Sequence, residues 1–125
     1  AFRTRSIFEA LEELVGPCTE IRLTGGFVRS DTWCRIVTDV LGRRILVPAV
    51  QEASALGAAA VAMWALGYAE KYDFLDGLLP IQKVYEPNLR NHGVYDELYR
   101  LYQEVYASLS RQFDRIARIQ ANLLE

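Results

Sequence analysis

The chain is poor in the residues that build cross-links and metal sites, with two cysteines and one histidine in 125 residues. Cys18 and Cys34 have no CxxC spacing and no histidine beside them, which argues against a disulfide framework or a zinc site and for a reducing, cytoplasmic setting. Charge of either sign is not in surplus: 14 Lys and Arg face 16 Asp and Glu, for a net charge of -2. Broad attraction to nucleic acid or to an anionic membrane is therefore not expected. Long apolar runs are also lacking. Residues 53–69 carry little charge but are rich in Ala and Gly and are followed by Glu70 and Lys71, too weak and short a run to span a bilayer. No signal-peptide pattern opens the sequence. What is present, 51% apolar and 24% charged residues, fits one soluble globular unit.

Ile7, Phe8, Leu11, Leu14 and Val15 recur at helical spacing with Glu9, Glu12 and Glu13 opposite, which predicts an amphipathic helix over 2–15 stopped by Gly16-Pro17. Residues 20–24 alternate polar and apolar as a short strand does before Gly25-Gly26. Trp33, Ile36, Val37, Val40 and Leu41 then trace a second helix face, with Ser30 or Asp31 to cap its start and Gly42 to close it. The aliphatic run 44–47, ended by Pro48, predicts a second strand, parallel to the first because a helix separates them. A helix of small residues follows from Ala53 and should end at Gly67. Residues 69–91, with Gly77, Pro80 and Pro87, show no sustained period and are expected to form a partly irregular connector. From Asn91 to Leu124 a 3-4 stripe through Tyr95, Leu98, Tyr99, Tyr102, Val105, Tyr106, Leu109, Phe113 and Ile116 predicts one long helix. Two strands are few for so many amphipathic helices. The expectation is an α/β piece of a larger sheet, with an uncovered apolar edge beside Ile21 and Leu23.

The stretch with most chemical content is the strand, glycine pair and helix start at residues 23–31. Glycines permit close backbone approach, and the first helical N–H groups lack intrahelical partners where the helix dipole is positive, so an anion or nucleotide could dock there. A bare glycine pair can equally be a turn and nothing more. Asp39 and Glu52 could act as base or metal ligand, but single carboxylates near helix ends are more often capping or solvent-facing groups. His92 has no Ser, Cys or Asp at an instructive spacing, so a catalytic triad has no support. Tyr95, Tyr99, Tyr102 and Tyr106 read as a packing face rather than a stacking platform for bases. Trp33 and Trp64 read as core anchors, with Trp33 near enough to Gly26 to line a pocket from behind.

Residues 24–33, Thr-Gly-Gly-Phe-Val-Arg-Ser-Asp-Thr-Trp, continue through Ile36-Val37-Thr38-Asp39-Val40-Leu41-Gly42 and Val47-Pro48 to Glu52-Ala53-Ser54-Ala55-Leu56-Gly57-Ala58-Ala59. In order and spacing this series resembles the C-terminal domain of the FGGY carbohydrate kinases, and Tyr85-Glu86-Pro87-Asn88 with the tyrosines beyond is similar to that family's closing segment. Gly-Gly-Phe is most like the gluconate kinases. The resemblance implies a partial ribonuclease H-like, actin-like ATPase domain: two parallel strands with flanking helices and a long C-terminal helix. It implies residues 1–75 as the nucleotide side and 76–125 as connector and helix packed on the same domain. It further implies ATP and Mg as cofactors, with Gly26 at the nucleotide phosphates and Ser30 by the adenine, and Gly25 and Arg29 as neighbours in the site. The catalytic aspartate, the sugar-binding residues and the phosphate loop are expected upstream of this chain, so no catalytic residue and no metal ligand is assigned within it.

Two functions of different class follow. One is the ATP-binding portion of a sugar or sugar-acid kinase that transfers the γ-phosphate to a carbohydrate hydroxyl, gluconate favoured and another sugar such as xylulose the alternative. The other is a non-catalytic helical interaction module presenting the tyrosine-lined helix to a partner. Neither calls for nucleic acid or membrane, and both leave a homodimer open.

Overall fold

The computed structural model describes residues 1–50, 52–69 and 79–123. Helix α1, Phe2–Val15, carries the expected amphipathic pattern and ends at Gly16, whose positive φ of 88° suits glycine and whose N–H reaches the Glu12 carbonyl. Helix α2, Asp31–Leu41, is the centre of the molecule, with Cys34, Val37, Thr38, Asp39 and Val40 all buried. Ser30 caps its start and Gly42, left-handed at φ 63°, closes it, as the sequence expects. Strand β1, Ile45–Pro48, follows. Helix α3, Ala53–Ala65, buries only Ala60.

The sheet differs from the parallel pair expected. β1 pairs antiparallel with β2, Ile81–Tyr85, in the register Ile45 to Tyr85, Leu46 to Val84 and Val47 to Lys83. The ladder shifts register between Val47 and Pro48, where proline offers no N–H. Residues 20–24 form no strand but a single parallel bridge, Arg22 with Leu46, in which the Leu23 N–H donates to the Leu46 carbonyl at 2.8 Å and the Leu46 N–H to that of Ile21 at 2.9 Å. Gly16-Pro17 and Gly25 bracket the segment and leave it one rung long. β2 corrects the reading of 69–91 as an irregular connector over its second half; residues 70–78, with Gly77, lie outside the described residues.

The expected single C-terminal helix is two. Helix α4, Leu89–Ser108, is capped by Asn88, whose side-chain oxygen accepts from the N–H groups of Arg90 and Asn91. It gives way at Leu109 to helix α5, Ser110–Asn122. There the Ser108 hydroxyl donates to the Val105 carbonyl at 2.7 Å, the local competition with the helix ladder that serine offers. Leu109 takes φ −91° and ψ 1°. Leu124, the expected helix end, lies outside the described residues.

The core gathers where α2, β1 and β2 meet: Val28, Cys34, Val47 and Tyr85 cluster with Leu23 packed on them. Ile21 and Leu23 are half-buried rather than an open apolar edge. Exposed apolar side chains stand on α3, at Val61 and Trp64, on Leu66 just beyond it, and along α1, α4 and α5. Trp33 and Trp64, expected as core anchors, are 38% and 52% exposed. Both cysteines are free thiols. Among the described residues no helix is long and apolar enough to cross a membrane.

α1 and α4 are joined by a polar and aromatic seam. Arg5 donates to Glu9 at 2.8 Å, to Asp96 at 2.6 Å and to the Val40 carbonyl at 3.1 Å, and its guanidinium lies 4.3 Å from the centre of the Tyr99 ring. Phe2 meets Tyr95, Tyr99 and Tyr102 with centroids 5.7 to 6.4 Å apart. The Tyr99 hydroxyl donates to Glu9 at 2.7 Å. Tyr95, Tyr99 and Tyr102 therefore take the packing role their spacing predicts, whereas Tyr106 is 49% exposed. Hydrogen bonding from Arg5 lowers the Asp96 pKa from its ordinary value. A depressed folded-state pKa contributes stability above the unfolded value and loses it as pH falls through the folded one. Asp96→Asn is accordingly expected to flatten the fall of the urea midpoint as the pH drops below the ordinary aspartate range of about 4. An unchanged acid limb would refute this.

Candidate nucleotide-binding turn

The four residues expected at the site lie on one short stretch. Gly25 has φ 97° and leads into a 3-10 turn, Gly26–Arg29, which passes through Ser30 into α2. The Val28 N–H donates to the Gly25 carbonyl at 3.1 Å and the Ser30 N–H to the Phe27 carbonyl at 3.0 Å, which fixes the turn. Val28 is buried and anchors it in the core, whereas Gly26, Arg29 and Ser30 are exposed. The two glycines differ. A Cβ at Gly25 would meet the Phe27 ring at 3.6 Å and its backbone has the left-handed φ; a Cβ at Gly26 would meet nothing within 4 Å. Gly26 thus leaves open space on the solvent side of a helix start, which is the room a phosphate needs for close backbone approach. The Ser30 Oγ accepts from the Trp33 N–H at 3.3 Å, and its own hydroxyl proton can still be donated outward.

Beside this turn lies an open groove of about 430 Å³ between α2 and β2, lined by Asp31, Arg35, Lys83, Tyr85 and Glu86 among others. Asp31, the residue after Ser30, accepts from the Tyr85 hydroxyl at 2.6 Å and from the Lys83 ammonium at 2.7 Å. The bond from Lys83 first, and that from Tyr85 second, hold the Asp31 carboxyl below its ordinary range. Donation to Asp31, reinforced by burial, pushes the Tyr85 phenol up. Lys83 and Tyr85 escape sequence reasoning because they fall in the stretch taken as connector. The run Ile81-Gln82-Lys83-Val84-Tyr85 does not alternate apolar with polar, so only its β-branched and aromatic residues, closed by Glu86-Pro87, hint at a strand.

Asp39 is structural. Its carboxylate accepts from the Asn88 N–H and the Asn91 amide, each at 2.8 Å, so it ties the start of α4 to α2. Glu52 is exposed just before α3 and its side chain makes no capping bond. The His92 Nδ1 lies 2.8 Å from the Asp39 carbonyl, its ring stands against Gly42, and its Nε2 is 3.6 Å from Asp96. Among the described residues no group of three or more His, Cys, Asp or Glu converges as a metal site would require.

A capped helix start behind a glycine pair whose second member is exposed has the form that can receive an anion or a nucleotide; comparison with known proteins gives the family. Residues 1–66 match the model of the FGGY family of carbohydrate kinases, C-terminal domain. The chain belongs to that family. It is 38% identical to a glycerol kinase of Thermococcus gammatolerans over 89 residues, 71% of this chain and 18% of that one. It is 29% identical to a gluconokinase of Bacillus licheniformis over 119 residues, 94% of this chain and 23% of the relative. Among solved structures, a xylulose kinase from Rhodospirillum rubrum superimposes with a TM-score of 0.72 at 29% identity, covering 90% of this chain and 23% of that one. A gluconate kinase from Lactobacillus acidophilus gives 0.66 at 27%, covering 78% and 20%. The chain therefore spans about a fifth of the length of the curated relatives it matches.

Proposed function

We propose that this chain is the nucleotide side of an ATP-dependent carbohydrate kinase of the cytoplasm, with gluconate as acceptor. The observation that carries the reading is the open face of Gly26 on a turn that leads directly into the Ser30-capped, buried helix α2. In this reading the Gly26 N–H and the first free N–H groups of α2 receive phosphate oxygens, Gly25 and Arg29 flank them, and Ser30 lies by the adenine. ATP supplies the phosphoryl group and Mg accompanies its phosphates. The described residues form no cage for the ion, and the carboxylate that takes the sugar proton is placed outside this chain. The turn itself only binds and orients; positioning of both substrates in a closed cleft supplies the rate. We assign residues 1–75 to the nucleotide side and 76–125 to the elements packed upon it. The pairing of β2 with β1 supports their packing as one domain.

Gluconate is favoured by Gly-Gly-Phe at residues 25–27 and by a match to gluconokinase along 94% of the chain. Glycerol and xylulose are the competing acceptors, because kinases so named are also among the relatives. The interaction-module alternative needs a free tyrosine face, and Phe2, Glu9 and Arg5 engage that face from α1.

The test is a coupled assay of ATP-dependent phosphorylation of gluconate, xylulose and glycerol. The complete kinase polypeptide is compared with the 125-residue chain. Product from gluconate is expected with the former and none above background with the latter, whose nucleotide affinity should be no better than about millimolar, roughly -4 kcal/mol. Turnover by the 125-residue chain would force a catalytic base into these residues, and preference for glycerol or xylulose would replace the acceptor.

A further inference from the structure

The groove next to the glycine turn holds an arrangement that deepens the proposed nucleotide site and rests on that reading. Asp31 is the first residue of α2, and a carboxylate there favours the helix dipole in the free protein. The same negative charge stands one residue beyond Ser30, at the helix end where nucleotide phosphates are placed, and would oppose them. Its side chain is 62% exposed, so burial does not remove the charge. Two groups of β2 meet it instead: the Lys83 ammonium at 2.7 Å and the Tyr85 hydroxyl at 2.6 Å, both on the same carboxylate oxygen. Tyr85 is a buried member of the core and fixes the direction of the carboxylate from a rigid base. Lys83 is the partner that brings a full positive charge. It reaches Asp31 only because β2 pairs antiparallel with β1, which puts Lys83 opposite Val47. We infer that Lys83 is a positioning residue for nucleotide binding: it holds and neutralises Asp31 so that the start of α2 stays receptive to phosphate.

Lys83 acts through Asp31, and that separates it from an ordinary surface ion pair, whose loss changes stability by little. The experiment measures the Kd of Mg-ATP and of adenosine by calorimetry on the complete kinase polypeptide, with thermal melting of each variant alongside. Lys83→Met is expected to weaken Mg-ATP about three- to fivefold, with the effect shrinking as salt is raised. Adenosine, which has no phosphate, should bind unchanged. Lys83→Arg should keep the affinity, and Asp31→Asn added to Lys83→Met should restore it by removing the uncompensated charge. A merely structural contact would show no such recovery, since the double variant has lost the same bond. Equal weakening of adenosine and Mg-ATP, or no recovery in the double variant, would overturn the inference. Gly26→Val in the same series reports on the turn alone. If it weakens Mg-ATP while Lys83→Met does not, the inference fails and the nucleotide turn stands; if it leaves Mg-ATP unchanged, both fall.

Discussion

Gly42→Ala is expected to destabilise the fold by about 3 kcal/mol, a large share of the total for a domain of this size. Two costs combine at that position. Gly42 has φ 63°, a conformation that costs a residue with a Cβ about 1–2 kcal/mol. The added carbon would also fall 2.5 to 2.8 Å from Cε1, Nε2 and Nδ1 of His92, inside contact distance for any non-bonded pair. The ring cannot turn away freely, because its Nδ1 is held 2.8 Å from the Asp39 carbonyl and its Nε2 stands 3.6 Å from Asp96. Asp39 and Asp96 also bind Asn91 and Arg5, so a shift of His92 loosens the join of α1, α2 and α4. Urea unfolding gives the number. Gly42→Ala combined with His92→Ala should recover the steric part and leave the backbone cost. A loss below about 1 kcal/mol in the single variant would show that the ring yields and that only the backbone matters.

Helices α1 and α2 were legible in the sequence because each carries its information locally. Apolar residues fall at helical spacing, Ser30 stands at the start of α2, and Gly16 and Gly42 stop the two helices. β2 was not, since its residues are exposed as far as Val84 and only Tyr85 is buried, so no one-sided apolar alternation marks it. The parallel expectation holds in direction but not in extent, for a related reason. Residues 20–24 do alternate and do meet Leu46 in parallel, but a single bridge forms between flanking glycines, and β2 provides the ladder. The break at Leu109 is invisible to periodicity, because the stripe runs on across it and Tyr106 still meets Phe113 with ring centroids 5.3 Å apart. At the site the glycines and the Ser30 cap are written in neighbouring residues. The partners of Asp31 are 52 and 54 positions away, and no local pattern encodes them.

Gly26→Val should separate the nucleotide site from the fold more cleanly than any other substitution in this turn. Gly26 is not among the glycines with positive φ, and a Cβ there meets nothing within 4 Å. The strained glycine is its neighbour Gly25, at φ 97°, so Gly25→Val would damage the turn and the site together. At Gly26 the branched side chain costs the protein little beyond a weak local propensity, and the space it fills is the space left for a ligand. In the complete kinase polypeptide the Kd of Mg-ATP is therefore expected to rise by at least about tenfold, or about 1.4 kcal/mol. The sugar Kd and the melting temperature should stay close to the parent values. Gly26→Ala, with one methyl group, should fall between the two, because a single carbon intrudes less on the phosphate than the two methyl groups of valine. A steric origin requires that grading. If valine left ATP affinity unchanged while the fold survived, the nucleotide phosphates would have to lie elsewhere, and the open face of Gly26 would be only the outside of a turn.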